Sequence, residues 1–251
     1  MLHLSKIISF TIVFMAFFLA CNKSEDVVRE TKNELELISS IKINVSEASG
    51  LAINTSGSTL YTVSDNTNNI YELSINGTVL KEYVYDGDDV EGISTVSADK
   101  VIFVEERNKE VVEYDLKSKN YIKHKVIYSN NSANSGLEGI AFNSNDNTTF
   151  ILNEKSPGVL MRLRSDFSII ESYDLNFASD YSGIFHDKDL NILWIVSDES
   201  KTVNKCSVKG ALIKSYAIDV IKAEGIAVTN NAIYIVSDSN STLFKFKKPI
   251  E

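Results

Sequence analysis

Apolar residues along this chain fall in short alternating runs, with no stripe at helical spacing. Five runs share one shape: LYTVSDN at 60–66, VIFVEER at 101–107, TFILNEK at 149–155, LWIVSDE at 193–199 and IYIVSDS at 233–239. Each is rich in β-branched and aromatic residues and ends in an acid beside a polar residue, which predicts a buried strand followed by a turn. About nine residues before each run's centre stands a second mark, an acid or serine followed by glycine and an apolar residue. It reads EASGLA at 47–52, DVEGIS at 89–94, GLEGIAF at 136–142, DYSGIF at 180–185 and KAEGIAV at 222–228. A third alternating segment follows each run: IYEL at 70–73, VVEY at 111–114, LMRL at 160–163, VNKC at 203–206 and LFKF at 243–246. A fourth, weaker one closes four of the units, as in VLKEYVY at 79–85 and IIESYDL at 169–175.

The five glycines of the second mark are Gly50, Gly92, Gly139, Gly183 and Gly225, spaced by 42, 47, 44 and 42 residues. Four short strands in about 44 residues is the period of a propeller blade. The fifth unit stops after its third strand, while LELISSIKINV at 35–45 has no partner of its own. Pairing the two closes the ring and removes an open sheet edge. The expected fold is therefore all-β: a five-bladed β-propeller of four-stranded antiparallel blades over residues 35–251, closed by an N-terminal strand. Asn, Asp and Ser supply the turns, since proline occurs only twice.

The topology assigns places to the acids. If the second mark opens the innermost strand and the long run returns antiparallel to it, both acidic positions lie at one mouth of the central channel. Glu91, Glu138 and Glu224 come from the strand starts, and Asp65, Glu106, Glu154, Asp198 and Asp238 from the ends of the second strands. Glu47, Asp86, Asp88 and Asp89 lie just upstream in neighbouring loops. Converging carboxylates must be protonated, matched by cations or bridged by a metal. Arg107 and Lys155, next to Glu106 and Glu154, are too few to neutralise them. The expected metal ligands are Glu91, Glu138, Glu224, Asp65, Asp198 and Asp238, and all-oxygen ligation favours Ca²⁺ over Zn²⁺. Arg107, Lys155, Glu106 and Glu154 are the expected ligand-binding set. A structural alternative stands for the second-strand acids, which can cap their turns through backbone N–H groups.

Composition narrows the functional classes. Net charge is −9, with 43% hydrophobic and 24% charged residues and no run of Lys and Arg, so a nucleic-acid partner is not expected. Of three histidines, His124 falls in an outer strand and His186 at the far end of an inner one, away from the acids. A Ser–His–Asp triad and a histidine zinc site are disfavoured. Cys206 sits in an alternating apolar segment and is expected to be a small core residue. Lys6 precedes fourteen apolar or small residues at 7–20, then Cys21. That is the pattern of a signal peptide over 1–20 ending in a lipobox, with lipidated Cys21, a charged tether over 21–34 and attachment to a membrane. Ordinary cleavage leaving a free thiol at Cys21 is the alternative.

Together, the repeated EGI, the VSDN…IYEL and LWIVSDES segments and the lipoprotein-like start resemble the SdiA-regulated (YjiK-like) family of bacterial envelope β-propellers, over roughly residues 36–247. The resemblance implies a propeller in or on the cell envelope, periplasmic or surface-facing, with bound calcium, and it assigns no reaction. The E-G strand start is also similar to the metal-ligand motif of gluconolactonase and senescence-marker propellers, which are usually six-bladed. With calcium-dependent phytase-like propellers the chain shares architecture alone, which is weak warrant for function. Two functions follow as expectations. One is a metal-stabilised binding or scaffold module whose partner is an envelope protein, a glycan or a small anionic ligand. The other is a calcium-dependent hydrolase of phosphoesters or lactones.

Overall fold

The computed structural model describes residues 33–128 and 136–250, and every regular element among them is a β-strand. The first strand, β1 (Leu37–Lys42), joins the last blade. Blade 1 holds β2 (Ala48–Ile53), β3 (Thr59–Ser64), β4 (Ile70–Ser74) and β5 (Val79–Tyr83). Blade 2 holds β6 (Val90–Ser97), β7 (Lys100–Glu105), β8 (Glu110–Asp115) and β9 (Tyr121–Lys125). Blade 3 holds β10 (Leu137–Asn143), β11 (Thr148–Asn153), β12 (Val159–Leu163) and β13 (Ile169–Asp174). Blade 4 holds β14 (Gly183–Asp187), β15 (Ile192–Ser197), β16 (Thr202–Ser207) and β17 (Leu212–Ala217). Blade 5 holds β18 (Ala223–Val228), β19 (Ala232–Ser237), β20 (Thr242–Lys247) and, as its outer strand, β1.

The five sheets form the expected five-bladed propeller. β1 lies antiparallel on β20, with Ser40 opposite Phe244 and Ile41 opposite Leu243. Just before it, the backbone of Asn33 and Leu35 hydrogen-bonds Ala217 of blade 4 (2.7 and 3.1 Å). The start of the described chain is thus fastened to two blades. The leader at 1–20, Cys21 and the tether as far as residue 32 lie outside the described residues.

Burial follows position in the blade. β15 and β19 are buried at every residue, because both faces of a second strand are covered by neighbouring blades. That is why these strands appear in sequence as unbroken apolar runs. Outer strands such as β9 and β17 are largely exposed. Side chains interlock between blades: Trp194, Val203 and Tyr216 of blade 4 share a cluster with Ile226 and Ile235 of blade 5. Cys206 is fully buried, and burial alone pushes its thiol up to about 12, so it is an inert core residue.

At the axis the inner strands meet backbone to backbone through the five glycines. A Cβ on Gly50 would stand 2.5 Å from Ile93 N and 2.6 Å from Gly92 Cα. One on Gly92 would collide with Glu138 O and lie 2.9 Å from Gly139 Cα. One on Gly183 would be 2.6 Å from Glu224 O, and one on Gly225 would strike Leu51 N and come 2.5 Å from Gly50 C. These glycines are needed for close approach, since none has positive φ. The waist they form, with Leu51, Ile93, Ile140, Ile184 and Ile226, has no volume for a water-sized sphere.

Gly92→Ala is expected to destabilise the chain by about 3 kcal/mol or more, because the obstructing atoms are backbone and cannot rotate away. That corresponds to roughly 6–12 °C in thermal unfolding. Gly57→Ala, whose Cβ meets nothing within 4 Å, calibrates the comparison through its φ penalty alone. Equal losses in the two variants would refute the packing role.

Candidate metal and ligand site at the acidic mouth

In blades 1, 2, 3 and 5 the mark before the glycine is a β-bulge. In β6, Val90 pairs with Glu105 and Ile93 with Phe103, so Glu91 and Gly92 oppose the single residue Val104. The same shift sets Glu138 and Gly139 against Leu152, Ser49 and Gly50 against Val63, and leaves Glu224 without a partner. A bulge re-aims a side chain that regular pairing would bury against a neighbour. Here it releases three glutamates toward the channel mouth while the following glycine holds the waist.

A backbone hydrogen bond then brings the second set of acids alongside. Three residues before each glycine stand Glu47, Asp89, Gly136, Asp180 and Lys222. The carbonyls of four of them accept from the N–H groups of Asp65, Glu106, Glu154 and Asp238 (3.0–3.2 Å). In blade 4 the carboxylate of buried Asp180 does this work, accepting from Glu199 N (3.1 Å) and Ser197 Oγ.

The acids sense one another strongly. Burial pushes the Glu138 carboxyl well above the usual carboxylate range, and the charges of Glu91, Glu106, Glu154 and Glu224 push it further. Glu91 is raised in the same way, first by burial, then by Asp65, Glu224 and Glu106, against a hydrogen bond donated by Ser49 Oγ. Glu224 is raised to about 7 by burial and by Asp198, Asp238 and Asp180, with Lys222 opposing. Glu106 is raised to about 6 by burial, Asp89 and Glu154. Asp65 is raised by burial, Asp89, Glu47 and Asp238, and Arg107 opposes them. The three bulge glutamates keep part of their surface open to the mouth, yet protein surrounds the carboxyl groups, so their charged forms are poorly solvated.

Within this mouth, Asp65, Asp89 and Glu91 each present an oxygen, and the three atoms lie within 4.8 Å of one another. Asp65 and Glu91 stand in the set expected from sequence. Asp89 does not, although the matching D-V-E-G and D-Y-S-G spacings mark its position and that of Asp180 as one site in the repeat. Of the acids at 86–89, Asp86 and Asp88 are exposed and Asp89 is buried. Glu138, Glu224, Asp198 and Asp238 surround the same mouth without joining that close triad. Among the described residues, no hydrogen bond or ion pair reaches the carboxylates of Asp65, Glu138, Glu224 or Asp238.

Two second-strand acids do cap a neighbouring turn. Asp198 accepts from Lys222 N (2.6 Å) and more weakly from Ala223 N, both in blade 5. Glu106 accepts from the backbone N–H of Gly136 at the start of blade 3. The two cations expected nearby are present and engaged with acids. Arg107 reaches Asp89 at 3.0 Å and Asp88 at 3.7 Å, and its own N–H bonds Asp89 (2.9 Å). Lys155 sits 2.8 Å from Glu154 and 3.0 Å from Glu199, and these partners raise its pKa. His124 lies on outer strand β9 beside Glu113 (3.1 Å), and His186 lies at the other mouth.

Solved structures of the same fold are distant in sequence. Glutaminyl cyclase from Myxococcus xanthus superposes with a TM-score of 0.66 at 10% identity, over 87% of this chain and 100% of that one. Virginiamycin B lyase from Staphylococcus aureus gives 0.55 at 14% identity, over 81% of each chain. A streptogramin B lyase gives 0.50 at 17% identity, over 84% of this chain and 73% of that one. At these identities the likeness is one of fold. The model of the family described as SdiA-regulated matches residues 26–247, nearly the whole propeller and the segment leading into it, and the chain belongs to that family.

Proposed function

We propose that the acidic mouth is a calcium site and that the propeller is a binding module held at the bacterial envelope through Cys21. The oxygen triad of Asp65, Asp89 and Glu91 carries this reading. A buried carboxylate cluster needs compensating positive charge, supplied by protons or by a cation. The donors are all oxygens, with the Ser49 hydroxyl against Glu91 as another, and they come from loops and a bulge of two blades. Such a set suits calcium, which takes six to eight oxygens in flexible geometry, better than magnesium, which demands a near-ideal octahedron. Glu138, Glu224 and Asp238 extend the negative field around it, and Asp198 adds its charge while capping the blade 5 turn. Arg107 and Lys155, fixed by Asp89 and by Glu154, form a rim suited to the anionic group of a small ligand that completes the metal's coordination. An envelope protein or glycan presenting such a group would meet the same face.

A calcium-dependent hydrolase of phosphoesters or lactones is the second reading. What favours it is that, in the metal-free chain, burial and neighbouring carboxylates push Glu106 up to about 6 and Glu224 up to about 7, toward the range useful for proton transfer at neutral pH. Calcium-dependent turnover of such substrates that disappears in a correctly folded Glu224→Gln variant would establish the hydrolase over the binding module.

Thermal unfolding in EDTA, then with calcium, magnesium or zinc, tests the metal site. Calcium is expected to raise stability selectively, by about 2.7 kcal/mol at a hundredfold excess over Kd, or roughly 5–10 °C. Asp65→Asn and Glu91→Gln should each abolish the gain. No response to any metal in the unmutated chain would sink the proposal.

The metal-free chain should also show a distinctive pH dependence. Glu224 and Glu106 have folded pKa values above the ordinary 4.5, so the native state binds their protons more tightly than the unfolded state does. Stability is then greatest below about 4.5 for these groups and declines as pH rises toward about 7. In EDTA, Glu224→Gln is expected to flatten that decline and raise the melting temperature at pH 8. A steeper decline in the variant would contradict the charge crowding.

A further inference from the structure

The closed waist separates the acidic mouth from a second one, where the inner strands end. This second mouth opens into a cavity of about 780 Å³, within the size range of small-molecule sites. The third residue after each glycine contributes to its wall: Ile53, Thr95, Phe142, His186 and Val228, one from each blade. The repeats are nearly uniform at the glycine and share nothing here, so the wall is asymmetric although the ring beneath it is regular.

Two features define what this wall can hold. Phe142 and Phe185, from neighbouring blades 3 and 4, are half-buried aromatic surfaces in the cavity. The rim above them is amide and hydroxyl, with Asn54, Ser144 and Asn230 among its groups, and its charged residues are the adjacent opposite pair Lys188 and Asp189. His186 sits deep in the wall, only 6% exposed, with its Nε2 donating to Asn191 Oδ1 at 3.2 Å, so the ring is held by the protein rather than offered to the cavity.

We propose that this second mouth binds an uncharged saccharide. Its apolar ring face would lie on Phe142 or Phe185, while hydroxyls, which both donate and accept, meet the amide and hydroxyl rim. An anionic ligand finds no cationic surplus here. A purely apolar one would leave the rim without partners. The site is independent of the acidic mouth, and its failure would leave the calcium reading intact.

The test is ligand-observed saturation-transfer NMR and calorimetric titration of the full chain with cellobiose and N,N′-diacetylchitobiose. Binding of at least one disaccharide is expected, weakened about tenfold or more by Phe142→Ala and by Phe185→Ala. Ser144→Trp, at an exposed rim position, should abolish binding with an unchanged melting temperature. It decides the matter if the phenylalanine variants fail to fold. Absence of binding by both sugars would overturn the proposal. So would undiminished binding in folded Ser144→Trp, or preference for acetyl-trialanine amide as a neutral peptide probe.

Discussion

The structure depends on one contact: five inner strands touching backbone to backbone at Gly50, Gly92, Gly139, Gly183 and Gly225. Five blades make a tight ring, and the radius at the axis is set by what lies between neighbouring strands. With hydrogen at that position, the main chain of one blade reaches within van der Waals distance of the next. The sheets then splay outward at an angle that lets Trp194, Tyr216, Phe103 and Tyr114 fill the wedges between blades. A single methyl at the waist would push two blades apart along their whole height. Few side chains in the wedges could compensate, because interiors are close-packed and transmit such strain.

The same constraint accounts for the acids. A strand that must bring glycine to the axis, and whose next residues must stay in register with the second strand, takes up the extra residue as a bulge. The bulged residue has nowhere to go except the mouth, where a polar side chain is required. Serine satisfies that in blade 1 as Ser49; in blade 4, whose pairing is regular from Gly183 onward, Ser182 stands just before the strand and donates to Ala223 O at 2.7 Å. Glutamate in blades 2, 3 and 5 goes beyond the structural need, since its burial is unfavourable and, among the described residues, no backbone donor is provided for Glu138 or Glu224. A cost incurred three times at one mouth points to chemistry rather than folding.

Much of this was legible in the sequence, because repeats convert weak local signals into a strong periodic one. Blade number, strand order, the closing strand at 35–45 and the convergence of two acid sets at one mouth all follow from spacing and alternation. Asp89 escaped because it stands in an acid-rich stretch, DGDD, which resembles a calcium loop in composition but lacks the EF-hand spacing and reads equally well as a solvated loop. Only the register of the repeat separates it from Asp86 and Asp88, and only the fold shows it buried. Asp180 was hidden behind its serine mark. Whether Asp198 caps a turn or faces the mouth was equally beyond the sequence, since the N–H groups it accepts from belong to the next blade. The cavity at the second mouth left no motif at all, as its wall is made of the positions at which the repeats differ most.

The seams between blades set the place of the triad apart from the rest of the mouth. Glu106 of blade 2 is held by Gly136 N–H of blade 3, and Asp198 of blade 4 by two N–H groups of blade 5. Between blades 3 and 4, Lys155 spans from Glu154 to Glu199. Each of these seams sets a carboxylate against a donor or a cation. At the seam of blades 1 and 2, Asp65 meets two more carboxylates, Asp89 and Glu91. Arg107 answers Asp89 from the exposed side, where an ion pair is worth little, and it leaves Asp65 and Glu91 facing each other. Without added positive charge this seam repels itself at the point where Gly50 and Gly92 must touch. A divalent cation there would join the first two blades as Lys155 joins the third and fourth, placing ligand capture and closure of the ring at the same atoms.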